Sequence, residues 1–206
     1  KAKLVAEKGQ KKGELDAYDS AVLPKYHDAI NGFLGRFGAG FSLMKSEKNY
    51  VGKVPQWMYT IEINKHAVDI TKKPGKGEAS FQTAMSAGDR NTLALALFLS
   101  QLELDPALKD AVVVFDDPFT SLDEFRRVMT AKTITRIGQN ASQVIVLSHD
   151  KHFLNDVFGK IFGAKCETFQ ISSIKTNSSI EPWDLEREVK EGYLQYHMDM
   201  KDFHDG

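Results

Sequence analysis

Two apolar runs constrain this chain of 206 residues more than any other feature: AVVVFDD over 111–117 and VIVLSHD over 144–150. Each is largely β-branched and lacks the alternation of a half-exposed strand, so each predicts a buried strand, Ala111–Phe115 and Val144–Asp150. Between them lies a stretch of helical length, about Asp123–Gly138, and another, Lys151–Phe158, follows. Strand, helix, strand, helix predicts an α/β fold with a parallel sheet covered by helices on both faces. Ligands of such sheets sit beyond the carboxyl ends of the strands. Both runs end there in reactive residues, Asp116-Asp117 and Ser148-His149-Asp150.

The rest of the chain is organised around that core. Lys1 to about Asp19 is charged, with apolar residues only at Leu4, Val5, Leu15 and Tyr18, which suits a solvated helix or the end of a coiled coil. A second helix is expected over Leu23–Phe37, stopped by the glycines of GRFGAG. Residues 1–22 therefore read as a coiled-coil end and 23–206 as the lobe proper. From Phe41 to Ile70 the period changes to two, in FSLM, WMYTIEIN and AVDI, predicting a small antiparallel β region. Lys72–Ser80 is a loop by its glycines, proline and charge. A helix over about Asp89–Leu104, with Leu93, Leu97 and Phe98 on one face, stops at Asp105-Pro106. After ETFQISSI, a strand, a polar turn leads to an amphipathic helix presenting Leu185, Val189, Tyr193 and Tyr196.

Composition narrows the classes of function. A net charge of −1 gives no whole-chain electrostatic case for nucleic acid, so any such contact would have to be local. Cys166 is the single cysteine; it cannot form an internal disulfide and reads as a small buried or half-buried residue of a reducing, cytoplasmic protein. No apolar run approaches the about 18–20 residues of a membrane helix. The first residues, KAKLVAEKGQKKGELDAY, hold no signal core and no initiating methionine, and read as the cut end of something longer.

Four apolar residues closed by two carboxylates make a Walker B pattern. Mg²⁺ takes hard oxygen ligands and keeps several waters, so Asp116 alone suffices to hold it, while Asp117 is placed to polarise a water. Acids at strand ends also serve simply to solvate the edge. His149 closes the neighbouring strand, where an imidazole can hydrogen-bond a phosphate. Upstream, Ser86 and Gly88 of MSAGDRNTLALALFLSQLE stand where a helix begins, with unpaired N–H groups and the positive end of the macrodipole available to an anion. Ser-x-Gly serves equally well as a plain helix cap.

Taken in order and spacing, SAGDR, the leucine-rich helix, VVVFDDPFTSLD and VIVLSHD resemble the signature, Walker B, D-loop and switch-histidine series of ABC ATPases. More closely they resemble the SMC/RecF/RecN-like branch that includes the RloC-type anticodon-nuclease and restriction ATPases, in which a coiled coil splits the head into two sequence halves. The likeness spans roughly Asn31–Phe158 and implies the C-terminal half of a P-loop NTPase head. By that resemblance Ser86, Ala87 and Gly88 meet the γ-phosphate of ATP held by a partner head, Asp116 binds Mg²⁺ through water, Asp117 is the catalytic base, Asp123 works across the dimer and His149 senses the γ-phosphate.

Two departures stand out: Asp117 replaces the family's glutamate, and Asp89 replaces the glutamine of the transporters' LSGGQ, bringing a charge unfriendly to phosphate. No G-x-x-x-x-G-K-[ST] occurs anywhere. The resemblance therefore implies an N-terminal lobe of the same protein, carrying the Walker A loop, and no ATP hydrolysis by this chain alone. It further implies a homodimer of heads in the cytoplasm, without membrane contact, acting on DNA or RNA in repair, maintenance or restriction. A transporter's nucleotide-binding domain and a non-catalytic dimerisation scaffold are the competing readings.

Overall fold

The computed structural model describes residues 2–44, 47–51, 54–70, 80–118, 123–159, 165–174, 177–192 and 194. They form two compact units, one of Lys1–Leu108 with Thr120–Arg126, the other of Lys109–Phe119 with Arg127–Gly206. Expectations for the loop at 72–79, for Ser121-Leu122 and for Tyr193 and Tyr196 lie outside the described residues.

The first unit opens with one unbroken helix, α1 (Ala2–Arg36), in place of the two expected. Pro24 lies inside it. A proline deprives a helix of one N–H and crowds the preceding turn, yet α1 runs through it. Leu4, Leu15 and Tyr18 are exposed, whereas Ile30, Phe33, Leu34 and Phe37 are buried: the helix enters the core only in its last turns. It ends in a Schellman motif, with Gly38 at φ 63°, its N–H on the Gly35 carbonyl and the Ala39 N–H on that of Leu34.

A three-stranded antiparallel sheet lies against this end of α1, in the order β1 (Phe41–Leu43), β4 (Thr60–Ile63), β5 (His66–Asp69). The strands β2 (Glu47–Val51) and β3 (Val54–Met58) pair separately. The expected WMYTIEIN strand is thus divided at Tyr59 between two sheets. Asn31 welds helix to sheet: its Oδ1 accepts from Leu43 N at 2.8 Å and its Nδ2 donates to Leu43 O at 2.9 Å.

After the short helix α2 (Phe81–Ala84), α3 (Ala87–Leu104) packs on α1 and ends at Asp105 as read from the sequence. Its buried stripe is Thr92, Leu93, Ala96, Leu99 and Ser100, while Leu97 and Phe98 are exposed. Small hydroxyl residues displace the large apolar ones there because their polar atoms return to the helix itself. Thr92 Oγ1 bonds Gly88 O at 2.8 Å and Ser100 Oγ bonds Ala96 O at 2.6 Å.

In the second unit β6 (Val112–Asp116) and β7 (Gln143–Leu147) pair in parallel, with Asp116 opposite Leu147. Helix α4 (Glu124–Gly138) connects them and α5 (Lys151–Phe158) follows. Val113 and Phe115 are buried with Ala131, Ile134, Ile137, Phe153 and Val157. The other face is open: Val112 is 57% exposed, Val114 50%, Ile145 38% and Leu147 44%. The expectation of cover on both faces holds for one only, because the described helices supply buried apolar side chains to one side.

A hairpin of β8 (Phe169–Ile174) and β9 (Asn177–Pro182) and a helix over 185–192 complete the unit. The sequence showed β9 only as a polar turn, since three of its six residues are Asn or Ser. Cys166 is exposed, against expectation.

Candidate functional site

The β6–β7 pair delivers its terminal residues side by side. Parallel pairing continues one step past β6, where the Asp117 N–H donates to Leu147 O at 2.9 Å. The backbone then turns sharply, with Asp117 at φ 42°, a left-handed conformation that aspartate tolerates better than most side chains. That turn swings its carboxylate toward the next strand's end. His149 Nδ1 lies 3.0 Å from both carboxylate oxygens and the His149 N–H donates to Oδ1 at 3.3 Å.

The His149 bond, helped by Ser148, holds the Asp117 carboxyl below the ordinary carboxylate range. Asp116, one residue earlier, is exposed at the strand end. Behind His149, Asp150 caps α5 by accepting from the His152 and Phe153 N–H groups at 2.8 and 3.0 Å. Arg127 of α4 stands 3.8 Å from Asp150 and 3.6 Å from Asp156. The Ser148–Asp150 turn is thereby braced by a capped helix and a cation.

The remaining motif residues, Ser86, Ala87, Gly88 and Asp123, belong to the first unit. Ser86 is the N-cap of α3: its Oγ accepts from the Asp89 N–H at 3.1 Å and donates to the Asp89 carboxylate at 2.7 Å. Ala87 and Gly88 are the first two residues of the helix, where N–H groups lack intrahelical acceptors. Asp123 Oδ1 accepts from the Arg126 N–H at 2.9 Å, beginning α4.

Arg126, which sequence reasoning passed over, is 14% exposed and reaches Asp89 at 3.1 Å, Asp123 at 3.5 Å and the Phe37 carbonyl at 3.3 Å. A signal for it existed. Arg126-Arg127 put two cations in the first turn of a helix, at the positive end of its dipole, a placement that calls for nearby anions.

The strand ends with their paired acid and histidine and the capped Ser-Ala-Gly helix start are the features through which the sequence resembles ABC ATPase heads. The AAA domain family AAA_13 matches residues 13–197, and the chain belongs to that family. The Rad50 DNA double-strand break repair ATPase of Sulfolobus acidocaldarius is 27% identical over 127 residues, which are 61% of this chain and 12% of that protein. The chain thus spans about an eighth of this relative's length.

Two solved structures share the fold. One, described under ATP-driven dimerization and DNA-stimulated activation of SMC ATPases, has a TM-score of 0.60 at 15% identity, covering 88% of this chain and 96% of that one. The other, the Smc head of Pyrococcus yayanosii with a coiled coil and joint, has a TM-score of 0.64 at 14% identity, covering 91% of this chain and 32% of that one. No helix among the described residues is long and apolar enough to cross a membrane.

Proposed function

We propose that this chain is the C-terminal lobe of a split ATPase head, completed by an N-terminal lobe that brings the Walker A loop, and that it turns over Mg-ATP when two heads pair. The observation that carries the reading is the Asp117–His149 contact at the joined ends of two parallel strands, in the setting of an ATPase family. Asp116 fits the Mg²⁺ role by the chemistry of its donor: an exposed carboxylate on a rigid strand end would hold the ion. There the ion would supply positive charge to offset that of the nucleotide's phosphates.

The chain's own residues divide the remaining work. Asp117, kept ionised by His149, accepts a hydrogen bond from the attacking water, and His149, oriented through Nδ1, presents its ring to the γ-phosphate. Ser86, Ala87 and Gly88 offer the α3 N-terminus to nucleotide on the partner head, and Asp123 acts in the same interface. The open Val112, Val114, Ile145, Leu147 face is where the N-terminal lobe joins the sheet. Relatives named for DNA repair and DNA-stimulated activity support DNA as the polymer served.

Three substitutions in the complete head test the reading. Asp117→Asn lowers turnover by at least about 10²-fold with ATP binding retained. Asp116→Asn weakens the Mg²⁺ dependence, and Ser86→Arg leaves each head's ATP binding intact while blocking head pairing. Parental turnover in Asp117→Asn moves the base elsewhere and favours a scaffold.

A further inference from the structure

The signature turn carries a carboxylate, Asp89, where a partner's phosphates would approach, and a bare anion there would repel them. The fold answers that charge. Arg126 Nη2 donates to Asp89 Oδ1 at 3.1 Å, and the other carboxylate oxygen accepts from Ser86 Oγ at 2.7 Å. From the same guanidinium, Nε reaches the Asp123 carboxylate at 3.5 Å and the Phe37 carbonyl at 3.3 Å. That carbonyl belongs to Phe37, the residue just past α1 and just before the left-handed Gly38. Phe125 reinforces the junction, its ring 3.3 Å from where a Cβ on Gly38 would stand. One mostly buried arginine therefore joins the start of α3, the start of α4 and the end of the long helix.

We propose that Arg126 is a positioning residue: it offsets the Asp89 charge and locks the signature turn, the D-loop exit and the root of α1 into one unit, so that a partner head's nucleotide meets a preorganised α3 N-terminus whose carboxylate is paired. A lysine carries the charge, but not the planar fork whose Nε and Nη2 together serve the three acceptors. The proposal deepens the functional reading and rests on it for the identity of the ligand.

Hydrogen exchange along the full chain tests the lock without nucleotide. Arg126→Gln is expected to speed exchange at the amides of Asp89, Arg90 and Arg126 by about tenfold, the size of one lost charge-assisted bond, with β6 and β7 unchanged within twofold. Adding Asp89→Asn to Arg126→Gln is expected to recover part of that protection, because the carboxylate stranded by the first change is gone. Arg126→Lys, which keeps the charge and folds more safely, is expected to fall between.

With an N-terminal lobe supplied, Arg126→Gln is expected to reduce ATP-dependent head pairing about tenfold while single-head Mg-ATP affinity stays within twofold. Unchanged exchange at Asp89, Arg90 and Arg126, uniform acceleration throughout the chain, or a double variant worse than Arg126→Gln alone overturns the proposal. Normal pairing of Ser86→Arg would instead sink the signature reading, with the exchange result still deciding the role of Arg126.

Discussion

Asp117 and His149 lie 32 positions apart in sequence, yet Nδ1 of the histidine sits 3.0 Å from both carboxylate oxygens. Parallel pairing of β6 and β7 produces this contact: once Asp116 stands opposite Leu147, the next residues of each strand turn out together. A carboxylate so held has its pKa lowered, chiefly by the His149 hydrogen bond. The contact's contribution to stability is therefore full above the unfolded value, about 3.9, and is lost as the pH falls through the lower folded value. Carboxyl titration by NMR should place Asp117 below the ordinary range, and His149→Gln should bring it back toward that range. A normal value in the unaltered protein would show that the pair is not formed.

Gly38 offers a backbone test. At φ 63° it ends α1, and a Cβ added there would lie 3.3 Å from the Phe125 ring. Gly38→Ala should cost about 1–2 kcal/mol from the left-handed conformation alone, with the ring contact adding to it. Urea denaturation measures this. A loss under about 0.3 kcal/mol would mean that the helix ends differently.

Asn31 tests how the long helix is attached. Its amide serves both the N–H and the C=O of Leu43, and His27 Nε2 also lies 2.9 Å from that carbonyl. Asn31→Leu keeps the volume and removes both bonds, leaving the Leu43 N–H without its partner, at a cost of about 1–3 kcal/mol. Faster exchange of the Leu43 amide should accompany the loss.

What the sequence disclosed follows from how local the causes are. The β6 and β7 runs, the α3 cap at Ser86 and the stop at Asp105 were legible because each is set by neighbouring residues: apolar continuity, a capping hydroxyl, a following proline. The two-helix expectation failed because the change from charged to apolar residues near Leu23 marks where α1 enters the core with Ile30, Phe33 and Leu34, not where one helix ends and another begins. β9 was hidden because its partner β8, not its own composition, makes it a strand. Of the candidate site, the residues were legible and the Asp117–His149 contact was not, since distance between strand ends is a property of register. Arg126 escaped for the same reason: its three acceptors come from α1, α3 and the start of α4.

The open face of β6 and β7 supplies the last prediction. Val112, Val114, Ile145 and Leu147 line up on one side of the strand pair, each more than a third exposed, while Val113 and Phe115 on the other side are buried. A contiguous apolar surface on a parallel pair is costly in water and signals a covering partner, which on the proposed function is the N-terminal lobe. Val114→Glu should change the stability of this chain by less than about 0.5 kcal/mol, because the side chain is already half exposed, yet it should weaken association with the N-terminal lobe by more than about tenfold, since burying an unpaired carboxylate costs several kcal/mol. Val113→Glu, facing the core, should instead unfold the second unit. Titration calorimetry with the separately expressed lobe distinguishes the two, and undiminished binding by Val114→Glu would place the lobe's contact elsewhere on the chain.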